Sequence, residues 1–558
     1  MRNRSLPAVL LAALVLSPLA ASASPQASPA DVSRITEIGR VDSRVMDHLD
    51  HLVNTIGPRL TSSDALTDAC RWTRDQFAGW GLEAWMEPWG TFPVGFNRGP
   101  SSARLIHPEE REIAFSASSW SAGTDGPQRG RVVIGISSAT DAANARKRDF
   151  KGAWVMNPKK RAKRSDREAI NEVYDEAGIL GTISVARGEL LITSGGHRIS
   201  MDDLPTRPSF RITASDGAAV RTWLEEDEKV EIEIDAPHSF KKGPIELFNV
   251  IADIKGSEFP DEYIIVGGHI DSWDGATGTI DNGTGCATTL EAARMLATIG
   301  AEPRRTIRFM LWSGEEQGLL GSRAWIKENP EMMDKISAVL VHDGGTNYLS
   351  GIHATEAMEP MFNRVFEPVI ALAPSDFPFE IRSVGGLPRG VGSDHDSFLG
   401  AGVPGFFWRQ AGRSNYNHGH HTQHDTFDMA IPEYQRHSAM VVAIGALALA
   451  NTDTLVSREG MSGSGGRGSS ARGPRRRLGV DLDGMAISEI FKDTVAAKAG
   501  LQVGDVILKI DGKDIEGRID LIRALRDGGP KKTVVVKRGE KTVDVGCVWE
   551  EEAKKEEG

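Results

Sequence analysis

The segment GGHIDSWDGATGTIDNGTG, from Gly267 to Gly285, indicates the architecture of the domain around it. The residues before it, Tyr263 to Val266, form a short, continuous, mostly β-branched run, which predicts a buried strand. The residues after it, through Ala292 to Ala297, predict a helix. The quoted stretch is therefore a loop between a strand and a helix. In open α/β sheets, loops at the carboxyl ends of strands converge on a crevice in which ligands bind.

This loop has polar side chains at both of its ends. His269 and Asp271 are expected at the tip of the strand, and Asp281 is expected at the start of the helix. The glycines around Asp281 predict a backbone that turns sharply or approaches another group closely.

The alternation of strands and helices continues after the loop. The apolar segments EYIIVGGH, RTIRFMLWSGEE, ISAVLVHDGG and VPGFFWRQ predict strands, and Pro432 to Asn451 predicts a helix that closes the body. Helical periodicity also occurs between about Ile35 and Trp89. The pattern predicts an α/β domain with a mixed, mostly parallel central sheet flanked by helices.

Composition divides the remainder of the chain. Residues 24–119 and 240–455 are predicted to form the α/β domain, and residues 120–239, with short strands and one basic helix, are predicted to be a β-rich insert. Residues 456–477 are rich in glycine and serine, which predicts a flexible linker. Residues 478–549 predict a compact final domain, and residues 550–558 predict a solvated charged tail.

The amino terminus is typical of a secretory signal peptide, predicted over residues 1–23. Arg2 and Arg4 precede the apolar run from Ala8 to Leu16, and Ala21-Ser22-Ala23 is a small-residue cleavage pattern. We therefore expect a secreted or periplasmic protein. No later run of about 20 apolar residues occurs, so no membrane span is expected.

Charge and cysteine content argue against several classes of protein. The chain has 77 acidic and 65 basic residues, a net charge of −12, which disfavours a nucleic-acid partner. Cys70, Cys286 and Cys547 are far apart in the sequence, so neither a disulfide framework nor a thiolate metal cage is available. We expect these cysteines to be buried, small apolar residues.

Further polar side chains follow the neighbouring predicted strands. Glu315 and Glu316 follow Trp312, His342 and Asp343 follow Val341, and a later polar loop contains His418, His420, His421 and His424. Carboxylates crowded in one crevice repel each other unless a cation neutralises them, and mixed imidazole and carboxylate ligands suit a zinc-like divalent metal. The candidates exceed the three ligands of one catalytic zinc, which favours two metals about 3.5–4 Å apart that share a carboxylate.

These motifs resemble the ordered motif set of the two-zinc exopeptidase family, which includes secreted aminopeptidases and glutamate carboxypeptidase. The matching segments are GPRLTSS, GGHIDSW…GTIDNGTG, SGEEQGLLGS, HDGGT, GSDHDSF…AGVPGF and HTQHDT, and they extend over about residues 31–455. GGHIDSWDGATGTIDNG and HDGGT are most similar to the carboxypeptidase Q branch. The insert resembles a protease-associated domain, and the resemblance implies the zinc exopeptidase fold.

The resemblance implies a role for each matching position. One zinc would be held by His269, Asp281 and Asp343, and the other by Asp281, Glu316 and His421, with Asp281 bridging. Asp271 would accept a hydrogen bond from the other ring nitrogen of His269. Glu315 would be the general base and acid for a zinc-bound hydroxide that attacks the scissile carbonyl, since a metal lowers the pKa of bound water to about 7. The implied activity is hydrolysis of dipeptides or short peptides, as an aminopeptidase, a carboxypeptidase or a dipeptidase.

Some assignments stay open at this point. Several relatives have Tyr where this chain has His420, which is either an oxyanion hydrogen-bond donor or an ordinary loop histidine; His395 is either a substrate contact or part of a loop cap. A glutaminyl cyclase and a non-catalytic, receptor-like binding protein of the same fold are the alternatives.

The final domain resembles a PDZ domain. Its signature is AAKAGLQVGDVILKIDGKDI with a predicted helix from Arg518 to Asp527, and Leu478, Gly479 and Val480 would form the loop that binds a terminal carboxylate. Such domains pair a strand edge with an extended chain end. The ligand is not readable from the sequence, and a homodimer is left open.

Overall fold

The structure is a computed structural model and describes residues 27–160, 162–373, 375–461, 476, 478–483, 485–492, 494–515, 521, 524–525 and 529–549. The chain divides into two compact units, Met1–Phe96 with Lys241–Met461, and Asn97–Phe240 with Ser462–Gly558. The predicted signal peptide, the charged tail and most of the predicted linker lie outside the described residues.

The first unit contains a six-stranded central sheet. The order across it is Glu83–Arg98, His238–Ile254, Arg305–Trp312, Phe259–His269, Ile336–Val341 and Gly405–Phe407. The strand Phe259–His269 pairs in parallel with both of its neighbours, whereas His238–Ile254 is antiparallel to Arg305–Trp312. The predicted mixed, mostly parallel sheet is confirmed, and the four apolar segments are strands within it.

Both faces of the central strands of this sheet are buried. Every residue of Arg305–Trp312 and of Ile336–Val341 is buried, as expected for strands covered by helices. The helix Pro432–Ala450 is buried continuously from His437 to Ala450, because its sequence is apolar on nearly all sides. The helices of this unit are Pro29–Val41, Val45–Asp50, Asp64–Gly79, Thr284–Ile299, Leu320–Glu328, Glu359–Val365, Glu367–Ile370, His395–Gly400, Tyr416–Gly419 and Pro432–Ala450.

The carboxyl-terminal part of the first unit also contains a smaller, three-stranded sheet. Its strand order is Glu380–Ser383, Tyr348–Ala354 and Arg409–Ala411.

Among the described residues, no helix combines the length and the apolar character needed to cross a membrane. Cys70, Cys286 and Cys547 are buried and unbridged, as predicted.

Two boundaries of the first unit differ from the sequence prediction. Helical structure before the sheet ends at Gly79 rather than near Trp89, because Glu83–Arg98 is a strand that pairs with His238–Ile254. The domain also continues beyond residue 455, because Val456 and Met461 are buried in the same apolar core.

The second unit contains the inserted segment, which forms an eight-stranded sheet. The strand order is Arg111–Glu112, Ser102–His107, Glu231–Asp235, Gln128–Ile134, Trp154–Met156, Gly181–Val185, Ser209–Ile212 and Phe115–Ala117. Its helices are Ala139–Asn144, Arg167–Ala177 and Ala214–Glu225. The insert begins before the predicted boundary at residue 120, because Ser102–His107 pairs with Glu231–Asp235.

The carboxyl-terminal segment of the second unit forms another sheet. Its strands are Val480–Asp483, Ala486–Ile490, Val506–Ile510, Lys513–Asp514, Lys531–Arg538 and Lys541–Val548, with a helix at Val495–Ala499. Leu478 is buried, and Gly479 has a φ of +80°, where a Cβ atom would lie 2.3 Å from the Thr494 side chain. The predicted helix Arg518–Asp527 lies largely outside the described residues.

Candidate active site

The register of the central sheet aligns the ends of three strands. His269 pairs with Trp312 on one side, and Gly267 pairs with Val341 on the other. The residues that follow these strands therefore start at the same edge. This alignment brings Glu315, Glu316 and Asp343 to the loop that contains Asp281.

His269 is the centre of a first group of donor atoms. Its Nε2 atom is 3.0 Å from Asp343 Oδ1 and 3.2 Å from Asp281 Oδ1. All three residues are buried. The histidine at the end of the first strand thus meets carboxylates from two other parts of the chain.

His421 is the centre of a second group. Its Nε2 atom is 3.0 Å from Asp281 Oδ2 and 3.0 Å from Glu316 Oε2. Asp281 therefore has one carboxylate oxygen towards His269 and the other towards His421. The five residues predicted as metal ligands lie together, with Asp281 in both groups.

The donor atoms fit a site for divalent metal. Ligand atoms of His269, Asp281 and Asp343 lie within 4.8 Å of one another, as do those of Asp281, His420 and His421. Glu316 Oε1 is buried and makes no hydrogen bond within the described residues. Imidazole nitrogens and carboxylate oxygens are common zinc ligands.

The pKa values of the clustered carboxyl groups also favour a bound cation. Burial, and secondarily the charge of Asp281, raises the pKa of Glu316 to about 8. Burial would also raise the pKa of Asp281, but hydrogen bonds to His269 and His421 hold it below its ordinary value. Because adjacent buried carboxylates disfavour each other's charge, a bound cation would stabilise their ionised forms.

Glycines let the loop adopt this conformation, as the sequence predicted. Gly278 has a φ of +67°, in the left-handed region. A Cβ atom on Gly285 would lie 2.2 Å from the carbonyl oxygen of His342. The turn and the close approach are therefore both present.

The geometry at Asp271 differs from the prediction. The Nδ1 atom of His269 lies 3.0 Å from the main-chain oxygen of Asp271 and 3.7 Å from its carboxylate. The carboxylate instead accepts hydrogen bonds from Thr61 Oγ1 at 2.9 Å and from the backbone N–H groups of Glu315 and Glu316 at 3.2 and 3.3 Å. Asp271 thus orients His269 through its backbone and positions the two glutamates through its side chain.

Arg59 stabilises the loop through its guanidinium group, a role that no sequence motif indicated. It is fully buried and donates to the carbonyl oxygens of Ile270 at 2.8 Å, Thr277 at 3.0 Å and Gly278 at 2.8 Å. It lies in the segment GPRLTSS and also donates to the carbonyl oxygen of Gly57 there, but nothing local in that segment indicates the other three partners, which are more than 200 residues away.

Replacing Arg59 with methionine should lower the free energy of unfolding by about 3–5 kcal/mol, because several buried carbonyl groups would lose their donor. Urea denaturation of the purified protein would measure the change. Arg40→Met, at an exposed guanidinium, is the matched control and should change the free energy by no more than about 0.5 kcal/mol. Equal losses in the two variants would contradict the supporting role of Arg59.

Glu315 lies in the wall of a cavity that opens on the donor groups. The cavity has a volume of about 540 Å³ and is also lined by Asp281, Asp343 and His421. Burial raises the pKa of Glu315 well above its ordinary value, and the nearby charges of Asp343 and Glu316 raise it further. A carboxyl group in this environment is suited to accept and return a proton.

The two predicted substrate contacts, His420 and His395, line the same cavity. His420 stacks on His421 with ring centroids 3.9 Å apart, and its Nε2 atom is 3.7 Å from Asp281 Oδ2. His395 is buried, and its ring centroid lies 5.3 Å from that of Phe407. Tyr416, which no motif indicated, stacks on His420 with centroids 4.7 Å apart.

Sequence comparison finds two matching families. Residues 249–444 match the family described as Peptidase family M28, and residues 487–538 match the family described as PDZ domain. Carboxypeptidase Q of Mus musculus is 27% identical over 427 residues, which cover 75% of this chain and 88% of that protein. Carboxypeptidase Q of Homo sapiens is 27% identical over 428 residues, with the same coverage.

Structure comparison agrees with the sequence matches. The solved structure of a peptidase M28 precursor from Shewanella amazonensis is similar with a TM-score of 0.54 and 25% sequence identity. The match covers 76% of this chain and 97% of that one. These similarities favour neither a glutaminyl cyclase nor a receptor-like protein.

Proposed function

We propose that this chain, a metallo-exopeptidase with a peptidase family M28 domain and a PDZ domain, binds two zinc ions and cleaves dipeptides or short peptides. The observation that carries the proposal is the position of Asp281, whose two carboxylate oxygens lie 3.2 Å from His269 and 3.0 Å from His421. A carboxylate with one oxygen towards each of two donor groups suits a ligand shared by a pair of metals.

The proposed ligands are His269, Asp281 and Asp343 for one zinc and Asp281, Glu316 and His421 for the other. When bound, zinc would supply Lewis-acid activation of water and of the scissile carbonyl group. The name carboxypeptidase Q, carried by the relatives above, supports a peptide with a free terminus as substrate.

The protein groups would move the proton and hold the reacting groups in place. Glu315 accepts the proton of the attacking water on its carboxylate and donates it to the nitrogen of the leaving amine, which then departs as a neutral amine. The Asp271 carboxylate, which accepts hydrogen bonds from the backbone N–H groups of Glu315 and Glu316, keeps the two glutamates in place. His420 and His395, in the cavity wall, are proposed substrate contacts.

Removing the metal tests this function. Dialysis against a chelator should abolish hydrolysis of a panel of dipeptides and of peptides blocked at either end, and added zinc should restore it. The metal content of the active protein should be close to two zinc ions per chain. Hydrolysis that persists undiminished in metal-free protein with a native circular dichroism spectrum would overturn the proposal.

We also propose that the enzyme acts outside the cytoplasm and that its PDZ domain binds a free chain end. Export is supported by Arg2, Arg4 and the apolar run that follows them. Carboxylate binding is supported by the left-handed conformation of Gly479, the middle residue of the predicted carboxylate loop, which directly precedes the strand Val480–Asp483.

A further inference from the structure

Part of the cavity wall lies outside the proposed metal set and is basic. Arg409, at the start of the strand Arg409–Ala411, lines it, and so does His353 from the paired strand Tyr348–Ala354. Within the described residues, Arg409 is the one guanidinium or ammonium side chain in the lining. The carboxylates in the lining are Asp281, Glu315 and Asp343, and each of them already has a role in the proposed chemistry.

Arg409 is held in place with most of its hydrogen-bonding capacity free. Its Nη1 atom donates to Glu380 Oε2 at 2.6 Å, and among the described residues it has no other hydrogen-bond acceptor. A guanidinium has five N–H donors in a planar fork. The Arg409 side chain is 27% exposed, whereas its partner Glu380 is 65% exposed. Glu380 therefore orients the guanidinium, and the remaining N–H donors of this cavity-lining residue are left for a ligand.

The electrostatic environment around Arg409 is positive. Arg382 lies in register with His353 on the adjacent strand. Burial, followed by the charges of Arg409 and Arg382, lowers the pKa of His353. Glu380 is the carboxylate that faces these groups, and hydrogen bonding to Arg409 lowers its pKa. Two arginines against one glutamate leave a net positive charge beside the cavity.

We propose that Arg409 binds the free terminal carboxylate of the substrate, so that the enzyme acts on dipeptides and on peptides with an unblocked carboxyl end. This inference rests on the proposed peptidase function. A guanidinium binds a carboxylate through paired, charge-assisted hydrogen bonds. Recognition of a substrate ammonium would need a carboxylate in the wall that is not committed to metal or proton transfer, and the described lining contains none.

A matched pair of substrates provides the test in the wild-type protein. The pair is one amino-blocked dipeptide as the free acid and the same compound as its carboxamide. Loss of a charge-assisted hydrogen bond corresponds to about a 10- to 100-fold change in affinity, so kcat/KM for the acid should exceed that for the amide by this factor. Equal rates for acid and amide would overturn the inference. If the amino block abolishes both reactions, the unblocked dipeptide is compared with its carboxamide, and equal rates for that pair would overturn the inference.

Substitutions identify the residue responsible. Arg409→Gln should raise KM for the free acid with little change in kcat, because an interaction equal in the ground and transition states is lost, and the acid-to-amide ratio should fall towards one. Arg364→Gln, at an exposed arginine of the helix Glu359–Val365 that does not line the cavity, is the matched control and should keep the wild-type ratio. Zinc content and melting temperature are measured for both variants.

The outcomes separate this inference from the function on which it rests. If zinc-loaded wild-type protein hydrolyses no peptide, the proposed function fails. If it hydrolyses peptides but Arg409→Gln, folded and zinc-loaded, keeps the preference for the free acid, then only the assignment of Arg409 fails.

Discussion

Replacing Glu315 with glutamine should lower kcat by at least about 10² to 10⁴-fold while the protein keeps its zinc, because this is the range that a positioned general base contributes. Glutamine has nearly the same shape as glutamate but cannot accept and return a proton. Glu315 lies outside both proposed ligand groups, and the hydrogen bond between its backbone N–H and Asp271 would remain. The effect should therefore appear in turnover and not in metal content.

The adjacent residue provides the control for this experiment. Glu316→Gln changes the same chemical group one position along, but Glu316 Oε2 lies 3.0 Å from His421 Nε2 in the second donor group. This variant should lose zinc as well as activity, so the two glutamates are distinguished by metal analysis. Turnover near the wild-type level in Glu315→Gln would remove Glu315 from its proposed role.

The sequence predicted the central sheet because its strands are continuous apolar runs with polar residues at their ends. Arg305–Trp312 and Ile336–Val341 are buried at every position, so each run could be recognised without knowledge of its partners. The rule that ligands bind at the carboxyl ends of strands then indicated where His269 and Asp343 would meet. Motif order supplied His421, which no strand pattern indicates.

The features that the sequence did not predict depend on contacts between distant segments. Arg59 donates to the carbonyl oxygen of Ile270, and Thr61 donates to the Asp271 carboxylate. Both contacts join the segment GPRLTSS to a loop that is more than 200 residues away in the sequence. Arg409 lies in a short segment after an apolar strand, and its place in the cavity wall depends on the pairing of a second sheet. The boundary of the insert was missed for the same reason, since Ser102–His107 belongs to its sheet only through pairing with Glu231–Asp235.

Replacing Asp281 with alanine should remove both zinc ions and reduce hydrolysis to the background rate. Asp281 is the residue common to the two donor groups, with Oδ1 3.2 Å from His269 Nε2 and Oδ2 3.0 Å from His421 Nε2. Without it, His269 and Asp343 remain for one ion, and Glu316 and His421 remain for the other. Two protein ligands are fewer than the three that a catalytic zinc takes, so neither ion should stay bound through dialysis.

Asp343→Ala is the matched control, because Asp343 belongs to the first group alone. This variant should keep about one zinc ion per chain, held by Asp281, Glu316 and His421, while Asp281→Ala should keep none. Metal analysis by atomic emission on dialysed protein measures the difference, and circular dichroism shows that both variants are folded. Retention of two zinc ions by Asp281→Ala, or equal metal loss in the two variants, would contradict the bridging role, because the shared carboxylate is the feature that makes one substitution affect both ions.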